Sequence, residues 1–399
     1  MAEERTIKIS ALGYRGEGVA LADGNRVFIP FTLPGETVRA EIDGNRGRLI
    51  ELLTPSPDRV APPCPHFGVC GGCQVQHLAD TEYRAWKRGL VTSQLDRAGI
   101  ATEVSDLVPA HGEGRRRATL HATKAGAGFM GLRSHEIHVL DSCPILVPAL
   151  GRAPEIATTI AAAVGPCDVS FTATDLGLDV AIRGKGIKPN AALTKAATRF
   201  DLARVAVNGE VVLSYRAPTI RMGRADVAIP PGSFLQATAL AEATLAAFVT
   251  DAAESAKSIA DLFCGVGPFA LRLAESAPVY AADSDAPAIA ALDAAKRKTK
   301  GLKAVTAEKR DLFRDPLSPF ELNRFHTVVL DPPRAGAQTQ ARELARSKVE
   351  RIVYVSCDPQ SFARDAAILA AGEYRMGMVT PVDQFLHSAH VELVAVFHR

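Results

Sequence analysis

The chain lacks the features of secreted, membrane-spanning and strongly charged proteins. No apolar run reaches the roughly 18 residues that a membrane span needs, and the opening stretch MAEERTIKIS shows no basic-then-apolar signal pattern. The 46 Lys and Arg residues nearly balance the 44 Asp and Glu residues, so the net charge does not by itself indicate a nucleic-acid protein. Internal repeats and low-complexity tracts are also missing. We therefore expect a cytoplasmic protein without membrane contact.

Length and cysteine content narrow the class further. A chain of 399 residues with 47% hydrophobic residues exceeds one ordinary domain, so two or three domains are expected. Seven cysteines form an odd number in a chain without a secretion signal. This usage argues against a disulfide framework and favours metal-binding or catalytic thiols.

The first 55 residues read as a small β-barrel. Apolar and polar residues alternate over residues 5–54, with turn signals at Gly16, Asp23-Gly24, Pro34-Gly35 and Asp43-Gly44. Short strands at this spacing predict a five-stranded barrel of the OB type over residues 1–55. Such barrels often bind oligonucleotides, and a packing module without a ligand fits the pattern equally well.

Two further domains follow the barrel. The Pro-rich segment TPSPDRVAPP leads into residues 56–230, where a helical stretch over 80–98 precedes mixed strand-like and helical segments, so an α+β middle domain is predicted. Over residues 231–399 strand-like runs such as SIADLF, PVYAAD, HTVVLD and ERIVYVS alternate with helices. This alternation predicts an α/β domain with a mostly parallel sheet covered by helices on both faces.

Four cysteines form a candidate metal site. Cys64, Cys70 and Cys73 follow a C-x5-C-x2-C spacing in a Gly- and Pro-rich loop, and Cys143 in DSCPIL is the best fourth ligand. Three thiols so close on a flexible loop cannot all fill a core, and zinc or an iron–sulfur cluster normally takes a fourth ligand. The spacing leaves zinc and iron–sulfur open. Cys167 lies among Ala and Val residues and is predicted to be structural.

A nucleotide-like ligand is predicted at the edge of the C-terminal sheet. The segment DLFCGVGPF places Gly265 and Gly267 in a turn between a strand and a helix, and the next strand ends in Asp283. Backbone N–H groups at such a turn and a carboxylate at the next strand end suit a ribose-containing ligand, although Asp283 alone could simply cap a helix. Asp311 and Asp331 follow two further strands. Acids at three strand ends suit a neutral or cationic adenosyl ligand better than an anionic dinucleotide.

A cysteine ends another strand of this sheet. In RIVYVSCDP the apolar strand stops before Cys357, and Asp358-Pro359 follows. Free cysteine is more often a packing residue than a reactive one. However, ligands of open α/β sheets bind at the carboxyl ends of the strands, so Cys357 is a candidate working thiol.

Several motifs together resemble one family. DLFCGVG, DPPRAG, VSCDP and HSAHVELV occur in this order and are similar to motifs of the RNA 5-methyluridine methyltransferases, whose members use S-adenosylmethionine. The upstream GSFLQAT resembles the Phe-x-Gln motif of that family. The cysteine pattern resembles the four-cysteine [4Fe–4S] site of its ribosomal-RNA branch, and the N-terminal barrel resembles the TRAM domain of that branch. The resemblance spans essentially the whole chain.

The resemblance implies a fold and a set of functional residues. It implies a Rossmann-like class I methyltransferase domain with a mostly parallel seven-stranded sheet after the middle domain and the barrel. It implies Cys357 as nucleophile, Glu392 as base and Gln236 as the glutamine that faces substrate and cofactor. Position by position, the residues implied for the cofactor are Gln236, Phe263, Gly265, Gly267, Asp283, Asp311 and Asp331, and those implied for a [4Fe–4S] cluster are Cys64, Cys70, Cys73 and Cys143.

The chain departs from the family pattern at four positions. Pro268 stands where members commonly have Asn, Leu235 and Thr238 replace an aromatic residue and an Asn beside the motif glutamine, and Asp358 replaces an Asn after the nucleophile. Cys264 belongs to the glycine turn, and we do not expect it to be reactive.

The chemistry of uracil agrees with these residue roles. Carbon 5 of uracil is a poor nucleophile until a thiolate adds to carbon 6, and a base must later remove the carbon-5 proton. Cys357 and Glu392 have the required types, while Gln236 can read the uracil edge because an amide has a donor and an acceptor. A stacked base cannot reach such a site, so the target uridine is expected to be flipped out.

The expected function is therefore S-adenosylmethionine-dependent methylation of uridine C5 in RNA by a monomeric enzyme. The barrel and the cysteine pattern favour 23S ribosomal RNA, and transfer RNA is the runner-up. A methyltransferase for exocyclic amines or DNA cytosine would not explain Cys357, Glu392 and Gln236 together. A non-catalytic RNA-binding or redox-sensing protein is the alternative from a different class.

Overall fold

Five strands near the N terminus close into a barrel in the computed structural model, which describes residues 2–399. They are β1 (Glu3–Leu12), β2 (Gly18–Ala22), β3 (Asn25–Ile29), β4 (Thr37–Asp43) and β5 (Arg46–Thr54). Their hydrogen-bonded order is β1-β2-β3-β5-β4. Because side chains alternate along a strand, apolar residues such as Ile9, Val27 and Val38 meet inside the barrel. The predicted five-stranded barrel is confirmed.

Several polar contacts attach the barrel to the rest of the chain, and two of them involve Trp86 and Arg59. Nε1 of Trp86, the only tryptophan of the chain, donates to the carbonyl oxygen of Gly13 at 3.1 Å. The guanidinium of Arg59 pairs with the buried carboxylate of Glu36 at 2.6 Å and donates to the carbonyl of Phe31 at 2.8 Å. Both contacts fix the barrel against the segment that follows it.

The middle of the chain has mixed α and β structure, as predicted. Its elements are α1 (Asp80–Arg97), β6 (Val108–Pro109), β7 (Arg117–Thr123), β8 (Gly126–Met130), β9 (Ile137–Val139), a 3-10 turn (Pro148–Leu150), α2 (Ala153–Val164), β10 (Cys167–Thr174), β11 (Gly177–Arg183), α3 (Ala191–Arg199), β12 (Arg204–Val207) and β13 (Glu210–Ser214). Seven strands form a sheet of order β13-β12-β11-β10-β7-β8-β9. Helices α2 and α3 pack on this sheet through Ile156, Ile160 and Leu193.

The C-terminal part forms the larger α/β sheet. Its elements are the hairpin β14 (Thr219–Met222) and β15 (Ala225–Ala228), then α4 (Ala239–Ala252), β16 (Ile259–Leu262), α5 (Ala270–Leu273), β17 (Val279–Asp283), α6 (Ala286–Lys298), β18 (Val305–Lys309), α7 (Pro319–Leu322), β19 (Thr327–Leu330), α8 (Gln338–Ala345), β20 (Arg351–Ser356), α9 (Pro359–Ala371), β21 (Arg375–Met376), β22 (Thr380–Asp383) and β23 (Glu392–His398). The order is β18-β17-β16-β19-β20-β23-β22-β6. Strands from β18 to β20 pair in parallel, and β23 is antiparallel to both neighbours. Apolar cores cover both faces of the sheet, as expected for this α/β class.

This sheet has two more strands than the seven predicted. The short strand β6, from the stretch before the predicted catalytic domain, pairs in parallel with β22, and β21 pairs with β23. The N–H of Ala110 extends the first pairing by donating to the carbonyl of Asp383 at 2.9 Å. Each added strand has only two residues, which is too short for an alternation pattern in the sequence. The middle of the chain therefore contributes backbone directly to the C-terminal sheet.

Polar residues cap the helices that begin at the edge of this sheet. The side chain of Thr238 accepts from the N–H of Ala241 at the start of α4, and that of Asp358 accepts from the N–H of Ser361 at the start of α9. Thr and Asp therefore act as N-caps where the family commonly has Asn, another favoured capping residue. The longest helix, α1, has 18 residues, and within residues 2–399 no helix combines the length and apolar character needed to cross a membrane.

Candidate active site

The turn after β16 places backbone groups at the carboxyl edge of the sheet. Gly267 has a φ of 90°, and a Cβ there would lie 2.5 Å from the side chain of Leu292, so only glycine fits this turn. The N–H of Gly265 donates to Oδ2 of Asp283 at 2.9 Å, and the N–H of Asp285 donates to Oδ1 of Asp283 at 2.8 Å. Asp285, not Asp283, caps α6. Asp283 instead joins the glycine turn to the end of β17.

A cavity of about 500 Å³ opens at this edge, within the range of small-molecule sites. Seven of the nine residues predicted for catalysis or cofactor binding line it: Gln236, Phe263, Gly265, Asp283, Asp331, Cys357 and Glu392. Gly267 and Asp311 do not line it. Gly267 lies in the turn against Leu292, and the half-exposed carboxylate of Asp311 accepts from the N–H of Phe313 at 3.1 Å.

Aromatic and acidic groups occupy one end of the cavity. The ring centroids of Phe263 and Phe313 are 5.4 Å apart, and both side chains line the wall together with Asp283 and Asp285. Flat apolar surfaces beside carboxylates suit an adenosyl group, whose base stacks and whose ribose hydroxyls donate. The sequence analysis did not single out Phe313. Asp311 positions this residue by accepting a hydrogen bond from its backbone N–H.

Cys357 lies at the other end, directly after β20. Burial raises the pKa of its thiol to about 12, and the nearby carboxylates of Glu392 and Asp331 act in the same direction, whereas Arg334 opposes them. Arg334 comes from the DPPRAG motif and lines the cavity. Its Nη2 lies 2.9 Å from Nδ1 of His390. The thiol is therefore protonated in the free protein, and Arg334 is the cation that favours its ionisation.

Glu392 opens β23 and is 2% exposed. Because β23 runs antiparallel to β20, its first residue lies at the same edge as the carboxyl end of β20. Burial raises the pKa of Glu392 to about 7, although a hydrogen bond from Gln384 and the charges of Arg334 and Lys87 oppose the shift. A carboxyl group with this pKa can take up and release a proton near neutral pH.

Gln236 and Asp331 lie between these two ends. Nε2 of Gln236 donates to Oδ2 of Asp331 at 3.4 Å, and burial raises the pKa of Asp331 well above its usual value. The backbone of Gln236 is fixed by Arg116, whose Nε donates to its carbonyl at 3.1 Å. Arg116 in turn pairs with the buried carboxylate of Glu242 at 2.6 Å. Arg116, the middle of three consecutive arginines at positions 115–117, is therefore a buried residue that supports the site.

The loop before Glu392 is held by the middle of the chain. Nζ of Lys87 on α1 pairs with Oδ1 of Asp383 at 2.8 Å and donates to the carbonyls of Phe385 and His390. The carbonyl of His387 accepts from the N–H groups of residues 74 and 75, at 2.8 and 3.2 Å, which follow the cysteine loop. The loop that carries Gln384, Phe385 and His390 therefore depends on contacts more than 200 residues away in sequence.

The four predicted metal ligands come together at one small cavity, lined by Cys64, Cys70, Cys73 and Cys143. All four are free thiols. Burial raises the pKa of Cys143 to about 11, and its three cysteine neighbours add to the shift. Within residues 2–399, no three His, Cys, Asp or Glu side chains form a group that could hold a metal ion as they stand. The structure thus brings the four predicted ligands to one cavity.

The remaining cysteines are packing residues. Cys167 is buried in β10, where burial raises its pKa to about 11. Cys264 is buried in the glycine turn, and burial raises its pKa well above the usual value. Both positions agree with the expectation that neither thiol is reactive.

Two family profiles match this chain. The profile described as "tRNA (Uracil-5-)-methyltransferase" matches residues 226–399, which hold the cavity and the sheet. The profile described as "TRAM domain" matches residues 2–46, which form most of the barrel. Both matches confirm the resemblance drawn from the motifs.

Relatives match the chain over nearly its whole length. An RNA methyltransferase of Brucella suis, described as uncharacterized, is 48% identical over 98% of this chain and 97% of its own. The 23S rRNA (uracil(1939)-C(5))-methyltransferase RlmD of Alkalilimnicola ehrlichii is 33% identical over 98% and 96%. The crystal structure of the Pyrococcus abyssi tRNA (uracil-54, C5)-methyltransferase with S-adenosyl-L-homocysteine is similar with a TM-score of 0.77, at 26% identity over 98% and 99% of the chains. The chain is an RNA methyltransferase and belongs to the RNA (uracil-5-)-methyltransferase family.

Proposed function

We propose that this enzyme methylates carbon 5 of a uridine in 23S ribosomal RNA, with Cys357 as nucleophile and Glu392 as base. One observation carries the proposal: the cavity that holds the aromatic and acidic cofactor residues also contains Cys357 and Glu392. A methyltransferase for an exocyclic amine needs neither a thiol that bonds to the ring nor a base that removes a proton from a ring carbon. The combination of thiol and carboxylate fits a nucleobase that must be activated by a covalent bond to the enzyme.

The proposed reaction proceeds in balanced steps. The thiolate of Cys357 bonds to carbon 6 of uracil, and the electron pair of the 5,6 double bond moves toward carbon 4 and its oxygen. S-adenosylmethionine, when bound, would supply an electrophilic methyl group on a sulfonium. Carbon 5 bonds to that methyl as the methyl–sulfur bond breaks, and the sulfur keeps the electron pair and leaves as the neutral thioether of S-adenosylhomocysteine. Glu392 then accepts the proton from carbon 5, the double bond re-forms, and the carbon–sulfur bond to Cys357 breaks. No net electrons are transferred.

The environment of Cys357 is consistent with this role. Its thiol is protonated in the free protein because burial and two carboxylates raise its pKa. The positive charge of Arg334 and that of a bound sulfonium both favour the thiolate, so the nucleophile is expected to form only in the loaded site. Such coupling protects the thiol when no methyl donor is present.

We further propose that Cys64, Cys70, Cys73 and Cys143 hold a [4Fe–4S] cluster. Such a cluster takes one thiolate per iron, so its ligands surround a common space. The four thiols here line one cavity. Since methyl transfer moves no net electrons, we assign the cluster a role in folding or RNA docking.

Ribosomal RNA is favoured over transfer RNA by the relative at 33% identity, which is named as a 23S rRNA methyltransferase. The solved structure at 26% identity is a transfer-RNA enzyme, so transfer RNA is the second candidate. The test is mass mapping of 5-methyluridine in both RNAs from a strain that lacks this protein. Loss of one modified uridine in 23S RNA, restored by the wild-type enzyme in vitro, is the expected result. Loss in transfer RNA alone would reassign the substrate, and loss in neither would contradict the proposal.

A further inference from the structure

One buried side chain connects the proposed base to the glutamine at the centre of the cavity. Gln384 is 1% exposed. Its Nε2 donates to Oε1 of Glu392 at 2.8 Å and to Oε1 of Gln236 at 2.7 Å. The three side chains therefore form a continuous hydrogen-bonded row inside the protein.

The orientation of the Gln384 amide follows from its third contact. The backbone N–H of Ala237 points at the side-chain oxygen Oε1 of Gln384, at 2.6 Å. A backbone N–H can only donate, so the amide atom that faces it must be the oxygen. The NH₂ group is thereby directed at Gln236 and Glu392, both of which offer oxygen acceptors. An amide orientation is usually ambiguous, but this donor removes the ambiguity.

The backbone on both sides of Gln384 is fixed as well. Asp383 forms the buried ion pair with Lys87 at 2.8 Å, and the carbonyl of Phe385 accepts from the same Nζ at 3.2 Å. The backbone at Gln384 therefore cannot shift without breaking contacts to α1, and the amide itself is held by the N–H of Ala237.

The fixed amide determines which end of Gln236 faces the substrate. Because Oε1 of Gln236 accepts from Gln384, its NH₂ group is turned toward Asp331 and the cavity, where Nε2 lies 3.4 Å from Oδ2 of Asp331. An outward NH₂ group can only donate. It complements the carbonyl oxygen at position 4 of uracil and opposes the amino group at position 4 of cytosine, which is itself a donor.

We propose that Gln384 is a positioning residue that makes the site select uridine over cytidine by holding the NH₂ group of Gln236 toward the base. This inference rests on the proposed function, since it assumes a pyrimidine in the cavity. The proposal assigns base selection to a residue that does not line the cavity. None of the sequence motifs included Gln384.

Two substitutions of Gln384 change the orientation of Gln236 in different ways. Gln384→Met keeps the volume and removes all three hydrogen bonds, so Gln236 can present either end. Gln384→Glu keeps the shape, and its carboxyl group shares one proton with the buried Glu392, 2.8 Å away in the wild type. With that proton between the two carboxyl groups, the oxygen that faces Gln236 only accepts, so Gln236 should turn its NH₂ group inward and expose its oxygen. Gln340→Met is the matched control, because Gln340 is a buried glutamine that bonds only the backbone of Leu317.

The experiment measures kcat/KM for two RNAs that differ only by uridine or cytidine at the target position, with products identified by mass spectrometry. We expect at least a tenfold fall in the uridine-to-cytidine ratio for Gln384→Met and a larger fall for Gln384→Glu. The ratio should not change in Gln340→Met, even if that variant is less stable. Thermal unfolding checks that each variant is folded. If Gln384→Met does not fold, the ratio measured for the isosteric Gln384→Glu variant decides the question.

The outcomes separate this inference from the function on which it rests. If the wild-type enzyme methylates uridine and either folded Gln384 variant keeps the wild-type ratio, the role of Gln384 is overturned and the proposed function stands. If the wild-type enzyme forms no 5-methyluridine in any RNA, both fail. If the ratio falls equally in Gln340→Met, the effect is one of general loosening and the inference also fails.

Discussion

Nζ of Lys87 lies 2.8 Å from Oδ1 of Asp383, and both side chains are almost completely buried. The pair joins α1 to the end of β22, and the hydroxyl of Tyr83 donates to the other oxygen of Asp383 at 2.6 Å. A buried charge without its partner is costly. The lysine therefore cannot be removed without leaving an unpaired carboxylate beside the active-site loop.

Lys87→Met should lower the free energy of unfolding by about 3–5 kcal/mol, the usual cost of breaking one buried ion pair. Equilibrium denaturation measures the loss. Arg84→Ala on the same helix removes an exposed pair with Asp80 and should cost less than about 1 kcal/mol. The double variant Lys87→Met/Asp383→Asn should recover part of the loss. Equal costs for the Lys87 and Arg84 variants would contradict the importance of burial.

Cys357→Ala should abolish covalent trapping of RNA that carries 5-fluorouridine at the target position. Fluorine cannot leave carbon 5 as a cation, so the wild-type enzyme should accumulate an adduct that survives denaturing electrophoresis. Cys167→Ala, which removes a packing thiol that does not line the cavity, should trap RNA like the wild type. If Cys357→Ala retained even a tenth of the methylation rate, a barrier change of only about 1.4 kcal/mol, covalent catalysis would have to be abandoned.

Glu392→Gln should stop the reaction after methyl transfer. The amide keeps the shape of the side chain and cannot accept the carbon-5 proton, so a methylated RNA–protein adduct should accumulate with ordinary uridine. Turnover should fall on the order of 100-fold or more. His390 is the rival base, but burial and Arg334 lower its pKa to about 4. Normal turnover in Glu392→Gln together with adduct in His390→Ala would assign the base to the histidine.

The rate of uridine methylation should fall as the pH drops below about 7. Burial raises the pKa of Glu392 to about 7, and the base acts as the carboxylate, which is present above that pH and is lost below it. Trapping of 5-fluorouridine RNA needs the thiolate but no proton removal from carbon 5. Comparing the two pH profiles therefore isolates Glu392. Superimposable profiles would show that Glu392 does not limit the reaction.

The cysteine loop should contain iron and sulfide after anaerobic purification. A brown protein with about four irons and four sulfides per chain is expected for a cluster of this type. Cys143→Ser should reduce the iron content and bleach the visible absorption, whereas Cys167→Ser should leave both unchanged. If the purified protein instead contained one zinc per chain and no sulfide, the four cysteines would be assigned to a zinc site.

The sequence identified the parts of the site that lie at strand ends. Asp283, Asp331 and Cys357 each follow an apolar strand, and parallel strands place their carboxyl ends at one edge, so local patterns were enough to bring them together. Glu392 was found through the resemblance and lies at the same edge because its strand is antiparallel. These residues all line the cavity.

Two of the residues that were missed, Lys87 and Gln384, act through contacts distant in sequence. Lys87 meets Asp383 across 296 positions, and Gln384 meets Gln236 across 148, so no local window contains both partners. A charged residue within the apolar face of α1 was the available signal for Lys87. Asp311 was expected in the site because it follows a strand, but its carboxylate accepts backbone N–H groups of the next turn and acts through Phe313.

The contact between Trp86 and Gly13 gives the protein an intrinsic spectroscopic probe. With only one tryptophan in the chain, all indole emission comes from the junction between α1 and the barrel. Separation of the barrel breaks the 3.1 Å hydrogen bond and admits water to the ring, which shifts the emission to longer wavelength while the circular dichroism of the catalytic sheet stays constant. The fluorescence of the unlabelled enzyme therefore reports whether the barrel stays on α1 when RNA is added.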